Sequence, residues 1–304
     1  MPINNLEFAT KLTGELDKLF VQGPVTGFLT DNVLRSKFVG AKTVLIPEME
    51  LSALGDYDRD TGFVRGSITV SNQPYTLAMD RARSFQLDRE DEDETGIANL
   101  AGQVMGEFVR TKVVPEVDAY CLSKLAGLAV TKSHTVTGTP ATEILKMLNT
   151  AFTNVQSEVG FDEELVCFVN PTVWAAITNS AEITRMLSVG DFKKGEINTK
   201  VKTLNGVAIL PVSDNRMKSA YEYHDGVTEG QTSGGFVPAG NAKNVGFIVM
   251  PKKGASLVKK TEKVRTFSPD QNQAADAYKF DYRTYYDLIV KNSMADAVYT
   301  YVYG

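Results

Sequence analysis

The side chains that carry most enzyme chemistry are scarce in this sequence. Its 304 residues include only two cysteines and two histidines. Cys121 and Cys167 both lie in apolar surroundings, cannot build a disulfide framework, and fit a reducing cytosol. His134 and His224 sit in polar, loop-like contexts without HExxH or paired-ligand spacing. No GxSxG elbow occurs. "GDFKKGE" imitates a phosphate loop, but Glu196 stands where the loop requires lysine. These gaps argue against a catalytic role and predict no metal and no cofactor. Long apolar runs are missing too, so no membrane span is expected. The first twenty or so residues lack the basic and apolar regions of a signal peptide. There is no repeat with a period of roughly 20–50 residues. Positive charge is not in excess: the net charge is −5, with no overall pull toward nucleic acid or acidic membranes. Any role beside DNA must come from local patches or from enclosure.

What is present is an ordinary globular composition, 43% hydrophobic and 23% charged, long enough for about two domains. Residues 4–20 carry Leu12, Leu16, Leu19 and Phe20 at helical spacing, and "VQGPVTG" ends that helix. Too little chain precedes the first strand for an independent domain, so this segment reads as an arm. "TVLIPEMEL" (43–51) and "FVRGSITV" (63–70) predict two strands, with Pro47 marking an edge, and "PYTLAMD" a third extended stretch. Together they read as a long hairpin with few bulky apolar residues near its tip, a ribbon that needs a neighbour.

Residues 88–129 form the longest helical pattern, with Ile97, Leu100, Val104 and Phe108 in phase. Pro115 should kink or split it. A second helix is expected over 139–158, with Thr139 as N-cap and Pro140 at its first position. "LVCFV" (165–169) reads as a buried central strand. "NPTVWAAI" predicts a helix capped by Asn170, and "INTKVKTLNGVAILPVSD" a hairpin turning at Asn205-Gly206. Residues 140–250 thus make a compact α/β unit. Strands return at "KFDYRTYYDLIVK" and "AVYTYVYG". Seven of the twelve tyrosines lie between 278 and 303, which argues for a sheet packed on the long helix.

Three charged segments invite a functional reading. "GDYDRDTG" (55–62) looks like the start of a calcium loop. Counting from Asp56, however, position 6 is Thr61 and position 12 is Ser67, and the flanks are strands. The alternatives are a solvated hairpin tip, or a charged tip of Asp56, Asp58, Arg59 and Asp60 that meets another subunit. The acidic run "DREDEDE" suits a helix start, where the dipole favours carboxylates. Residues 243–265 hold seven basic residues and one acid, Glu262. That segment lacks interleaved aromatics for stacking on bases, and reads as a strand edge defended by lysines. Pairing Glu90, Asp91, Glu92 and Asp93 with Lys252, Lys253, Lys259 and Lys260 of a neighbour is a further intersubunit reading.

The order of these elements resembles the major capsid protein of tailed bacteriophages, the Hong Kong 97-type fold. "FQLDREDEDET" leading to "VVPEVDAYCLSKL" resembles that family's spine helix. "VNPTVWAAI", "TLNGVAILPVSD" and "AKNVGFIVMPKKGA" resemble its axial domain, and "VRTFSPDQNQAADAYKFDYRTYYDLIVKNSMADAVYTYV" its last pass through the peripheral domain. The resemblance covers nearly the whole chain. It implies an α+β fold: an N-terminal arm (1–41), an extended β-hairpin loop (42–88), a peripheral domain with the spine helix (89–130 and 256–304) and an α/β axial domain (131–255). It also implies a structural, non-enzymatic virion protein, assembled in the bacterial host cytoplasm. Hexamers and pentamers would form an icosahedral shell enclosing double-stranded DNA. The tip of the loop would lie across an adjacent subunit, where Asp56, Asp58, Arg59 and Asp60 set registry.

Two departures from the family pattern follow. Residues 43–72 contain no lysine and Lys42 lies at the base, so no covalent crosslink from the loop tip is expected. The arm begins almost at Met1, so a separate scaffolding protein, or none, is expected beside a portal protein and a decoration protein. Two rival functions compete. An encapsulin-type nanocompartment would enclose protein cargo in the same fold. A soluble α/β enzyme would need a pocket with convergent polar groups, which the sequence does not offer.

Overall fold

The computed structural model describes residues 22–30, 38–39, 43–60, 62–89, 101–180, 183, 188–194 and 197–304. The helix expected over residues 4–20 and the acidic run Glu90–Asp93 lie outside them.

The chain first builds an arm. Strand β1 (Phe38–Val39) pairs only with the root of β2 (Thr43–Leu51), which pairs along its whole length with β3 (Ile68–Thr76). Past Val44 the far side of β2 pairs with no strand among the described residues, which is where Pro47 is tolerated. The second strand therefore starts at Ile68, not at Phe63, and it runs through Pro74 to Thr76. Register with β2 sets these limits, Leu51 opposite Ile68 and Thr43 opposite Thr76. The third extended stretch is divided: Pro74–Thr76 complete the hairpin, and Met79 and Asp80 do not belong to it. After Leu77 and Ala78 the chain enters β4 (Met79–Asp88), which belongs to another sheet.

The long helix is one path in three parts: α1 (Ala101–Phe108), a π turn (Val109–Val113) and α2 (Val114–Thr131). Pro115 has no N–H to give the Thr111 carbonyl four residues back. The chain answers by widening the preceding turn, and Val114 N–H bonds to Val109 O. The helix is not split.

Helix α3 (Pro140–Val159) starts on proline as expected, but the Thr139 hydroxyl does not cap it. Instead Glu143, four residues on, accepts the Thr139 N–H at Oε2, 3.2 Å away. Strand β5 (Leu165–Val169) follows, then α4 (Pro171–Asn179), where Asn170 Oδ1 accepts Val173 N–H at 2.9 Å. Strands β6 (Ser188–Lys194), β7 (Ile197–Leu204) and β8 (Val207–Pro211) come next. Asn205 (φ 51°) and Gly206 (φ 81°) make the tight β7–β8 turn in the left-handed region glycine favours. A small hairpin, β9 (Tyr221–Tyr223) and β10 (Phe236–Pro238), precedes β11 (Asn244–Pro251). The chain ends with β12 (Ala255–Phe267), β13 (Ala277–Val290), the short α5 (Asn292–Ala295) and β14 (Tyr299–Tyr303).

Two sheets organise the body. One has six strands in the order β14-β11-β5-β8-β7-β6, and the other is β12-β13-β4. The final strand pairs with β11, so the strands of residues 256–304 fall in two sheets, and both touch the long helix. The six-stranded sheet is covered on both faces, which explains why all five residues of β5 are buried. Val166 and Phe168 face the cluster that holds Leu122 and Leu125 of α2. Leu165, Cys167 and Val169 face the cluster built on Leu148, Phe152 and Ile177 of α3 and α4. On β13, Tyr282 packs edge-to-face on Phe108 and Tyr286 on Tyr120, so the aromatic strand does lie against the long helix.

Candidate interaction surface

The arm has two unlike faces because strand side chains alternate. On one face Val44, Ile46, Glu48 and Glu50 stand opposite Tyr75, Gln73, Ser71 and Thr69. Its root is fixed: Val44 and Leu77 pack with Val258, Tyr285 and Ile289, and the Tyr285 hydroxyl donates to Leu77 O at 3.1 Å. Burial and the nearby Glu48 push the Tyr75 phenol up from its ordinary range. Nearby, Arg283 grips Asp80 with two bonds of 3.0 and 2.7 Å.

The other face is apolar. Leu45, Pro47, Met49 and Leu51 stand opposite Pro74, Asn72, Val70 and Ile68. Toward the tip these side chains are open to solvent: Met49 62%, Leu51 63%, Ile68 72% and Val70 63% exposed. Leu54, Tyr57, Phe63 and Val64 continue the exposed patch into the tip. The tip is therefore not poor in bulky apolar residues, contrary to the sequence reading. The signal was present as the alternation Leu45-Pro47-Met49-Leu51, with Ile68 and Val70 across the hairpin. A patch of this kind on a single chain marks a surface that something covers.

The aspartates of the tip take two roles. Asp58 and Gly62 exchange backbone bonds, at 3.3 and 2.8 Å, and Asp58 Oδ1 accepts the Asp60 N–H at 2.6 Å. The carboxylate of Asp58 thus shapes its own turn. Asp56, Arg59 and Asp60 are exposed. Ser52 and Ser67 close the loop below, the Ser67 N–H donating to Ser52 Oγ at 2.8 Å.

The basic residues singled out in the sequence are on and beside β12, an edge strand. Two of them already serve this chain: Lys252 pairs with Glu164 at 2.6 Å and Lys259 with Glu262 at 3.2 Å. Lys252, with help from Lys253, holds the Glu164 carboxyl below its ordinary range. Lys253 is exposed and Lys260 half-buried. Their proposed counterparts Glu90, Asp91, Glu92 and Asp93 are outside the described residues.

One constellation had no sequence signal. Residues 22–30 lie as a strap where α2 meets the six-stranded sheet, held by the ion pair of Asp118 and Arg216, 2.7 Å apart and each only 1% exposed. Asp118 Oδ1 accepts the Thr26 N–H (3.0 Å) and hydroxyl (2.5 Å), and Oδ2 accepts the Val25 N–H (2.9 Å). Arg216 donates to the carbonyls of Gln22 and Gly23. Gln22 in turn bonds Pro211 O and the Ser213 N–H. These partners are backbone groups, about a hundred or more residues away in sequence, which no local pattern announces. Cys121 and Cys167 are fully buried, and burial pushes both thiols far up, so neither is a reactive nucleophile.

No helix among the described residues is long and apolar enough to cross a membrane. No family model matches the chain. No curated protein sequence does either. Solved structures do match, over almost its whole length. The capsid structure of cyanophage P-SCSP1u aligns with a TM-score of 0.66 at 14% identity, covering 98% of this chain and 93% of that one. That of Staphylococcus phage Andhra gives 0.61 at 11% identity, covering 100% and 90%. The mature capsid of bacteriophage PhiM1 gives 0.59 at 14% identity, covering 98% and 92%. At such identities the sequences have diverged while the architecture persists, and the mixed α+β fold of this chain is the fold found in these phage capsids.

Proposed function

We propose that this chain is the major capsid protein of a tailed phage, with the Hong Kong 97-type arrangement. It assembles as hexamers and pentamers into an icosahedral shell around double-stranded DNA, in the cytoplasm of the bacterial host. The observation that carries the reading is the apolar face of the projecting arm, solvent-exposed in one chain, on a fold shared end to end with phage capsids. A flat subunit cannot cover such an arm itself, whereas a closed symmetric ring can. In this reading residues 1–41 are the N-terminal arm and 42–88 the loop that crosses the adjacent subunit. Residues 89–130 with most of 256–304 form the peripheral domain. Residues 131–255, completed by β14, form the axial domain. Asp56, Arg59 and Asp60 set the registry of the tip, while Asp58 shapes it. The role is structural, without catalysis or cofactor. DNA is held by enclosure, and scaffolding, portal and decoration proteins are its other partners.

Negative-stain microscopy with light-scattering mass tests this, on the purified protein alone and with lysate expressing its own operon. Closed particles or hexamer and pentamer rings are expected. Nuclease-resistant DNA inside them supports the phage reading, and a packaged protein cargo makes the shell an encapsulin. A monodisperse monomer or dimer under both conditions refutes a shell.

A further inference from the structure

A cavity of about 600 Å³ opens where the π turn and the start of α2 face β4, β13 and the loop between β9 and β10. Phe85, Phe108, Phe236, Tyr282 and Tyr286 give it an aromatic lining. The Tyr286 hydroxyl is buried and has no hydrogen-bond partner among the described residues. The charges on the lining are unequally used. Arg81 forks onto Glu116 at 2.6 and 3.2 Å and donates to the carbonyls of His224 and Gly235, so that pair is spent tying the loop to the helix. Asp225 is folded onto Val227 N–H, Thr228 N–H and the Thr228 hydroxyl. Arg83 reaches only the Thr232 carbonyl, at 3.5 Å, and a Cβ at Gly226 would lie 2.9 Å from its Nη1. Lys112 is exposed and forms no ion pair with a described residue. The cavity thus offers an aromatic floor beneath two cations with no carboxylate partner among the described residues.

The same chain carries a group of the opposite chemistry. At the tip of the arm the rings of Tyr57 and Phe63 meet edge-to-face with centroids 5.0 Å apart. Phe63 is 88% exposed, and along the chain Asp56, Asp58 and Asp60 flank the pair against Arg59 and Arg65. We propose that the arm tip of one copy seats its Tyr57–Phe63 pair in this cavity of a neighbouring copy, its aspartates against Arg83 and Lys112. This rests on the shell reading above and names the receptor that the arm requires. Aromatic anchors in pockets rimmed by complementary charge are the usual centres of strong interfaces.

Zero-length carbodiimide coupling, which joins an ammonium to a carboxylate in contact, tests the proposal on wild-type protein. Particles are assembled from a mixture of isotopically heavy and light subunits. Heavy–light peptides joining Lys112 to Asp56 or Asp60 are expected. Phe63→Ala and Arg83→Glu, both at exposed side chains, are each expected to lower their yield about tenfold. If particles form but the tip couples across subunits only to other lysines, such as Lys253 or Lys260, the receptor is wrong and the shell stands. An unchanged yield in Phe63→Ala removes the aromatic plug and overturns the proposal. So does native mass spectrometry of the unassembled chain showing an aromatic acid that Arg83→Glu releases. A chain that light scattering shows to stay monomeric at every concentration, both alone and with its own operon, fails both readings.

Discussion

Asp118→Ala is the perturbation with the largest calculable consequence. It strips Arg216 of its only carboxylate in a site where both side chains are 1% exposed. It also removes the acceptor for the N–H groups of Val25 and Thr26 and for the Thr26 hydroxyl. An uncompensated buried cation costs about 3–5 kcal/mol. At roughly 2–4 °C per kcal/mol for a domain of large size, the melting temperature should fall by about 10 °C or more. Asp118→Asn should lose nearly as much, because its amide has a single acceptor oxygen and its NH2 group must then face either the Thr26 N–H or the Val25 N–H and Arg216. The apolar double variant Asp118→Leu with Arg216→Met removes both charges, but it strands the same strap N–H groups and the Gln22 and Gly23 carbonyls. It should therefore recover only part of the loss. The control is Asp214→Ala, which breaks the more exposed Lys218 pair and should cost less than about 1 kcal/mol. Chemical denaturation gives the energies, and amide hydrogen exchange at Val25 and Thr26 reports whether the strap opens first. Stability within about 0.5 kcal/mol of wild type, with both amides still protected, would refute the role given to the pair.

Other consequences are simpler to read. Met49→Asp with Ile68→Asp places charge on the open face of the arm, so subunit stability should change little while particle assembly is abolished; equal particle yield by microscopy would show that nothing covers that face. The Thr228 hydroxyl and the Val227 and Thr228 N–H groups hold the Asp225 carboxyl down to about 2. Its folded value lies below its unfolded one, so its contribution is complete above the ordinary carboxylate range and is lost as pH falls toward 2. An NMR titration of Asp225 should show that low midpoint, and Thr228→Val should raise it. Lys252→Ala should return the Glu164 carboxyl toward its ordinary range, a shift the same experiment measures. No lysine lies in residues 43–72, so a denaturing gel of mature particles should show single chains and no ladder from the loop.

What the sequence made legible was local chemistry. Pro140, the Asn170-Pro171 cap and the Asn205-Gly206 turn each act through neighbours a few residues away, and each sits where the pattern put it. LVCFV was readable because a strand covered on both faces must be apolar at every position. Errors arose where distant partners decide. The limits of β3 follow from its register with β2, and the weakly alternating "VSNQPYT" gives no hint of them. The destination of β14 depends on β11, more than forty residues upstream. Pro115 was correctly marked as a disturbance, but whether a helix kinks, breaks or widens depends on the whole turn before it. Asp118 and Arg216 looked like any helix carboxylate and loop cation, because their partners are backbone groups of a strap that folds back from the far end of the chain.

The arm shows why those long-range features belong together. Eight of its large apolar side chains between Met49 and Val70 are solvent-exposed. Covering them would be worth about 12–24 kcal/mol at roughly 1.5–3 kcal/mol each, against a cost of association of about 4–15 kcal/mol. A single contact of that size leaves a modest surplus, weak enough for a misplaced subunit to detach. In the proposed rings the same surplus would accumulate in every subunit without any one contact becoming irreversible. That balance works only if the arm leaves the body in one direction. The Val44–Tyr285 root packing and the Arg283–Asp80 fork fix its base. The Asp118–Arg216 clamp separately fixes the strap that precedes it in sequence. Rigid bases under an open apolar ribbon are what an assembling subunit requires, and a solitary enzyme would gain nothing from them.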